Sequence, residues 1–310
     1  MESITKELEL LIKNVEKVIV GKGESIRLLI VGLLTNNHIL IEDVPGVGKT
    51  MLALSLAKSI DAKFQRIQFT PDILPTDITG GFIYNQKNQE FEFKKGPIFA
   101  NIVLADEINR TTPRTQSALL ECMQEYKVSS DGNTFILSKP FIVIATQNPI
   151  EYHGTYPLPE AQIDRFLMKI NMGYLPEEEE IKVISSQKRQ HPIDTLQPVL
   201  SLKRVIELQE AIKQVEISQK ILNYIVKIVA ATRKREEIKL GGSARTSIAF
   251  MQASRVWAIL EGRNYVIPDD IINLSYWILS HRLVLNPLTK MGKITKKELI
   301  TDLVKNIPVP

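Results

Sequence analysis

The 310-residue chain has a single cysteine, Cys122. That excludes an intrachain disulfide framework and fits a reducing, cytoplasmic setting. Cys122 sits in a helical pattern with Ala118, Leu119 and Met123, and no histidine is near it in sequence. It reads as a small core residue, not a nucleophile. No apolar run approaches the ~18 residues that suggest a membrane span. The first residues, Met1-Glu2-Ser3-Ile4-Thr5-Lys6, carry acids and read as an amphipathic helix, without the shape of a signal peptide. Charge of one sign is also missing: 39 Lys and Arg mix with 35 Asp and Glu, for a net +4. So mild a balance gives no argument for nucleic acid. The four histidines, His38, His153, His191 and His281, have no metal-ligand spacing, so zinc is not expected. Internal repeats and low-complexity stretches are absent too.

What the chain does have is Ile39-Leu40-Ile41-Glu42-Asp43-Val44-Pro45-Gly46-Val47-Gly48-Lys49-Thr50. An apolar strand runs into a Gly/Pro loop, and a helical pattern follows from Met51 through Leu52, Leu54 and Leu56. A phosphate-binding loop needs this context. Glycines let backbone N–H groups close on a phosphate, Lys49 offers a mobile positive charge, and the Thr50 hydroxyl can ligate Mg²⁺. ATP and Mg²⁺ are the expected ligands, with Asp43 through Met51 as the binding stretch. One position departs from G-x-x-x-x-G-K-[ST]: Asp43 stands where the motif has glycine. The plain alternative is an ordinary Gly-Lys-Thr turn between strand and helix.

Short apolar runs alternate with helical patterns up to about residue 175. Strands are expected at Ile39–Glu42, Arg66–Phe69, Ile102–Ala105, Phe141–Ala145 and Leu167–Ile170. Their near-continuous apolar character suits a parallel sheet covered on both faces. Two segments fall outside this α/β layout. One is 80–96, with alternating Phe91, Glu92 and Phe93. The other is 127–137, where Asp131-Gly132 between alternating runs predicts a hairpin. After Tyr174 the character changes. Pro176 and the run Glu177–Glu180 read as a helix start, with carboxylates against the positive dipole end. Metal or a basic partner is the other use of such a run. Helical spacing then dominates, so residues 1–175 are expected to form an α/β core and 176–310 an all-helical domain.

Ile102-Val103-Leu104-Ala105-Asp106-Glu107 is an apolar strand ending in two acids. Ligands of α/β sheets gather at such strand ends. Asp106 can hold Mg²⁺ through water, and Glu107 can polarise a water for attack on a γ-phosphate. The plain reading is a solvated turn. The next strand ends in Thr146-Gln147-Asn148-Pro149, where the Asn148 amide can orient that water; an Asn-Pro turn is again the plain reading.

These motifs resemble AAA+ ATPases, specifically the MoxR family. The resemblance is carried by Glu42 through Thr50, Gly96-Pro97-Ile98, Leu104 through Arg110 and Gln116 through Glu121. It continues in Ala145 through Pro149, Leu158 through Gln162, Asp164-Arg165-Phe166 and Ser280-His281-Arg282-Leu283. It spans nearly the whole chain and implies a five-stranded parallel core followed by a helical lid. It also implies roles. Asn148 matches sensor 1, and Arg165 matches the arginine finger that reaches a neighbouring subunit's γ-phosphate. Arg245 matches sensor 2 on the lid, although Ala244 replaces a proline common before it. From the residues alone, Arg165 and Arg245 could equally be surface charges, and Arg110 and Arg114 are alternative fingers.

The resulting expectation is an Mg²⁺-dependent ATPase working as a ring, a hexamer by resemblance. ATP would sit between core and lid, with Arg165 arriving from the next protomer. The family also implies a chaperone-like role on a client, cofactor insertion, and partners with a von Willebrand factor A domain. Three rivals remain: a nucleic-acid-directed motor, a chelatase-type motor subunit, and a nucleotide-binding scaffold that does not hydrolyse. No zinc module, helix-turn-helix signature or basic stripe supports the first. The joint presence of Glu107, Asn148 and Arg165 speaks against the last.

Overall fold

The computed structural model describes residues 2–149, 154–186, 191–287 and 294–310; His153 lies outside them. Two helices lead the chain. α1 (Glu2–Glu16) turns Ile4, Leu8, Leu11 and Val15 inward, the spacing of one helical face. α2 (Gly23–Leu34) is apolar nearly all round and buried along most of its length. β1 (Ile39–Glu42), α3 (Lys49–Ser59), β2 (Phe64–Gln68) and the short α4 (Pro75–Thr79) follow. β3 (Gly80–Asn85) and β4 (Glu90–Lys95) form an antiparallel hairpin. Next come β5 (Ile102–Asp106) and α5 (Pro113–Glu125). β6 (Lys127–Ser130) and β7 (Asn133–Ile136) make the second hairpin. Asp131 and Gly132 both take positive φ at its tip, as a tight Asp-Gly turn demands. β8 (Ile142–Gln147), α6 (Glu160–Ile163) and β9 (Met168–Ile170) complete the core.

The sheet has five parallel strands in the order β2-β5-β8-β1-β9. Side chains alternate between two apolar clusters, one on each face. Ile39, Ile41, Ile102, Leu104, Ile142 and Ile144 enter one; Leu40, Val103, Ala105, Val143 and Ala145 enter the other. Burial on both faces is the reason these strands read as continuous apolar runs. Several strand limits differ from the sequence expectation, and two of them by two residues. β8 runs on through Thr146 and Gln147, which pair with Ile41 and Glu42 of β1. β2 starts at Phe64, where pairing with Ile102 begins.

The helical segment comprises α7 (Glu177–Ser186), α8 (Leu202–Ile212), α9 (Gln219–Thr232), α10 (Ala244–Leu260), α11 (Pro268–Leu279) and α12 (Lys296–Lys305). Ser201 and Ser218 cap α8 and α9 by accepting from Arg204 N and Ile221 N. A two-stranded antiparallel ribbon, β10 (Ile238–Leu240) with β11 (Val284–Leu285), is added to the helices. Segments this short leave no periodicity to read. Buried residues of α8 to α12 join the same apolar cluster as α1, α2 and one sheet face.

Just before β1, His38 is buried and stacked on Tyr126. Its Nδ1 accepts from Val143 N at 2.9 Å and its Nε2 faces Met123 O at 2.8 Å, so Nε2 carries the proton. Burial pulls its pKa down to about 4. Neutral His38 therefore stabilises the fold above the unfolded-state value, and this contribution is lost as pH falls from about 6.5 toward 4. Chemical denaturation at pH 7 and pH 5 should show wild type losing about 2 kcal/mol through this group. His38→Gln starts less stable but lacks that portion of the slope. Equal slopes for the two proteins would contradict the account.

Candidate functional site

The phosphate loop begins where β1 leaves the sheet. Gly46 and Gly48 take φ of +85° and +91°, and a Cβ on either would meet nothing within 4 Å. These glycines are required by backbone handedness, not by lack of space. Pro45 is exposed; Val44, Val47, Lys49, Thr50 and Met51 are half-buried. Gly48 caps α3, so Lys49, Thr50 and Met51 form its first turn. Lys49 Nζ donates to the Asp43 carbonyl at 2.8 Å, bridging the two ends of the loop. The Asp43 carboxylate is buried and turned toward β9. Its Oδ1 accepts from Val44 N at 2.8 Å, and its Oδ2 accepts from Met172 N at 2.5 Å and Gly173 N at 2.6 Å. Within the expected binding stretch, the Asp43 carboxylate is thus engaged with β9's continuation and not with Gly46 or Gly48.

β8 separates β5 from β1, so the loop, the two acids and Asn148 all lie at the carboxyl ends of three adjacent strands. Neighbouring strands are about 4.8 Å apart, so all three ends fall within reach of one triphosphate. Asp106 is buried. Its Oδ1 accepts from Thr146 Oγ1 at 2.6 Å; its Oδ2 accepts from Arg66 Nη2 at 2.7 Å and Nε at 3.1 Å. Thr146 Oγ1 also accepts from Glu107 N at 2.9 Å, which sets the backbone of the second acid. Glu107 takes φ +58°, a left-handed conformation costly for a non-glycine residue. Its Oε2 accepts from Gln68 Nε2 at 2.8 Å and Arg110 Nη1 at 3.1 Å. Asn148 is buried just past the end of β8. Arg114 is exposed in the first turn of α5.

Sequence reasoning missed Arg66, Gln68 and Thr146. The one signal was a charged and an amide side chain at alternate positions of β2, beside the acid-bearing strand. Thr50 and Asp106 offer hard oxygen donors, a set that fits Mg²⁺ carried in with phosphates and water.

A cleft of about 340 Å³ adjoins the loop. Gly46, Val47, Gly48 and Met51 line one side. Val18, Ile19, Val20, Tyr174, Leu175 and Val183 supply apolar surface around the rest. Lys22 lines it too, and its Nζ donates to three successive carbonyls: Met172 at 2.7 Å, Gly173 at 3.0 Å and Tyr174 at 2.9 Å.

Arg165 and Arg245 lie elsewhere. Both line a second cleft of about 310 Å³ with His38, Tyr126, Asp164 and Arg282. His38 precedes β1 and Leu167 precedes β9, so this cleft opens at the amino ends of the strands. From His38 to Asp43 an extended chain covers about 16 Å. No residue of the phosphate loop lines this second cleft. The lid brings Arg245 into the same cleft as Arg165, away from the phosphate loop of its own chain. Asp164 is the hub. Its Oδ1 accepts from Arg282 Nε at 2.7 Å, its Oδ2 from Ser243 Oγ at 3.2 Å, and Arg245 Nη1 stands 3.6 Å away. Arg282 is buried and also donates to the carbonyls of Phe166 at 2.6 Å, Leu167 at 2.9 Å and Ile278 at 2.6 Å. Burial lowers its proton affinity, and the Asp164 carboxylate opposes that shift. Among the described residues, the Arg165 guanidinium makes no hydrogen bond or ion pair.

Comparison with known proteins agrees with this fold. Residues 38–168 match the ATPase family associated with various cellular activities, and residues 230–303 match the AAA lid domain. The uncharacterized protein YeaC of Bacillus subtilis is 52% identical over 299 residues, covering 96% of this chain and 93% of that one. Chaperone MoxR1 of Mycobacterium tuberculosis is 43% identical over 312 residues, covering 98% of this chain and 82% of its own. A crystal structure from Cytophaga hutchinsonii, described as that of a candidate ATPase, superposes with a TM-score of 0.91 at 41% identity, covering 99% of this chain and 96% of that one. The chain belongs to the MoxR family of AAA+ ATPases, enzymes that hydrolyse ATP.

Proposed function

We propose that this ATPase is Mg²⁺-dependent and works as a ring of identical subunits, a hexamer, that remodels a client protein. The observation carrying this reading is the split between the two clefts. The phosphate loop, Asp106, Glu107 and Asn148 occupy one edge of the sheet; Arg165 and Arg245 occupy the other. A complete site then needs two subunits, with both arginines supplied by the neighbour. Within one site, Lys49 would leave the Asp43 carbonyl for the outer phosphates. Thr50 and Asp106 would hold Mg²⁺, which neutralises phosphate charge when bound. Glu107 would take a proton from the attacking water as the water oxygen bonds to Pγ and the bond from Pγ to the bridging oxygen breaks. Asn148 would orient that water. Arg165 would meet the charge spread over the transferring group.

The client-facing reading is supported by the two hairpins. Ile83, Tyr84 and Phe91 of the first are 51%, 52% and 70% exposed, and Ile136 of the second is 81% exposed. Phe93 and Phe135 stack at 3.9 Å and join the hairpins into one apolar-tipped unit. The Mycobacterium tuberculosis relative is named a chaperone, which points the same way. Cofactor insertion and a von Willebrand factor A domain partner rest on the family resemblance, and a cytoplasmic setting on the single cysteine. None of the described helices is long and apolar enough to cross a membrane. We further propose 1–175 and 176–310 as the working units, the second being the lid.

Glu107→Gln keeps size and hydrogen bonding but loses the water-polarising charge. Calorimetry should find ATP bound nearly as in wild type while turnover drops about a hundredfold or more. A variant that hydrolyses at the native rate would remove Glu107 from the chemistry.

The split site has its own test. Arg165→Ala and Lys49→Ala should each hydrolyse ATP poorly, the first losing up to ~10³-fold. Mixed, they should regain partial activity, because some interfaces then pair an intact loop with intact arginines. Arg245→Ala mixed with Lys49→Ala should behave alike. With subunit exchange confirmed separately, mixtures that never exceed either parent would reject the shared site.

A further inference from the structure

We infer that Asp43 is a positioning residue that fixes the far wall of the nucleotide cleft relative to the phosphate loop. The inference rests on the reading that this loop holds nucleotide. β1 and β9 pair in parallel up to Ile41 and Ile170, so Asp43 and Met172 are level with each other two residues beyond the last pair. There the two backbones part, because β1 bends into the loop. The ladder cannot continue, and Met172 N and Gly173 N would be left without protein partners. The Asp43 carboxylate takes both, at 2.5 and 2.6 Å, and a third backbone N–H at 2.8 Å. A buried carboxylate is costly unless several donors meet it, and three do here.

The same turn is gripped from its opposite side. Lys22 Nζ spends its three protons on the carbonyls of Met172, Gly173 and Tyr174. An anion thus holds the amides and a cation the carbonyls of one short segment. Gly173, Tyr174 and Leu175 of that segment, with Val18 to Val20, line the cleft facing Gly46, Val47 and Gly48. Phosphates belong at the glycines, and the apolar walls suit the base. Asp43 joins the two ends of the ligand's seat through one side chain. Glycine, the general residue at this motif position, would leave the loop intact but free the wall.

The test compares two ligands of the same loop. Wild type, Asp43→Gly, Lys22→Met and Lys49→Ala, each checked for folding by circular dichroism, are titrated calorimetrically with magnesium ATP and magnesium tripolyphosphate. Asp43→Gly and Lys22→Met should bind ATP about tenfold more weakly while tripolyphosphate stays within about twofold of wild type. Lys49→Ala should lose both ligands. Asp43→Asn keeps an oxygen toward Met172 N and Gly173 N, and should retain most of the ATP preference. Should Asp43→Gly not fold, Lys22→Met carries the same comparison. Equal weakening of both ligands, or no weakening, in a folded variant overturns the positioning role. Unchanged binding by Lys49→Ala would instead overturn the nucleotide reading, and this inference with it.

Discussion

All five strands of the sheet run the same way, so its two edges are chemically unlike. Carboxyl ends collect loops that begin where buried strands stop, and helix amino ends point there with their partial positive charge. Amino ends collect the returning segments. With the order β2-β5-β8-β1-β9, one edge gathers the phosphate loop, the paired acids and Asn148, while the other gathers His38, Arg165 and Leu167. Neither set can migrate without reversing a strand, which would unpair the ladder and turn apolar side chains out of both clusters. The separation of the loop from Arg165 is thus built into strand direction, and the lid sets Arg245 beside it. It is this separation that gives the ring reading its physical content.

At the carboxyl edge, short polar links set the acids. Thr146 Oγ1 donates to Asp106 and accepts from Glu107 N, so one hydroxyl fixes a carboxylate and the following backbone together. That second bond holds Glu107 in its left-handed conformation, worth of order 1–3 kcal/mol of strain in such settings. Glu107 is further held by Gln68 and Arg110, and Asp106 by Arg66. In the proposed site, each acid would exchange these partners for metal or water. Arg66 is about half exposed, and its ion pair is better read as orienting Asp106 than as stabilising the fold.

The sequence made much of this legible. The strand–loop–helix context of Gly48-Lys49-Thr50, the apolar runs of the sheet and the Asp131-Gly132 hairpin are local patterns, and local patterns survive folding. What stayed hidden was pairing at a distance. Asp43 looked like a defect in a motif because its partners lie 129 and 130 residues away. Thr146 lay in a quoted stretch, but its link to Asp106 spans 40 residues. Arg245 could be named from resemblance, yet its surroundings depend on how the lid lies, and no periodicity encodes that. Arg282 likewise stood in a recognised segment with no role until Asp164, 118 residues earlier, came within 2.7 Å.

Arg282 also constrains how the lid can move. Its guanidinium is buried, and its donors are taken by Asp164 and by carbonyls on both sides of the core–lid contact. Pulling the lid away there would strand a desolvated charge, a loss on the order of 3–5 kcal/mol. The apolar cluster that runs from α1 and α2 into α8 to α12 adds to the resistance. Arg165 follows Asp164 directly, and Arg245 lies against the same carboxylate. The two arginines therefore share one patch at the contact between core and lid. In the proposed ring, the compliant contacts would be those between one chain's arginine patch and the next chain's phosphate loop. Nucleotide chemistry in one subunit would then act on its neighbour through that contact, and on its own helical segment through α7, whose Val183 lines the cleft beside the loop.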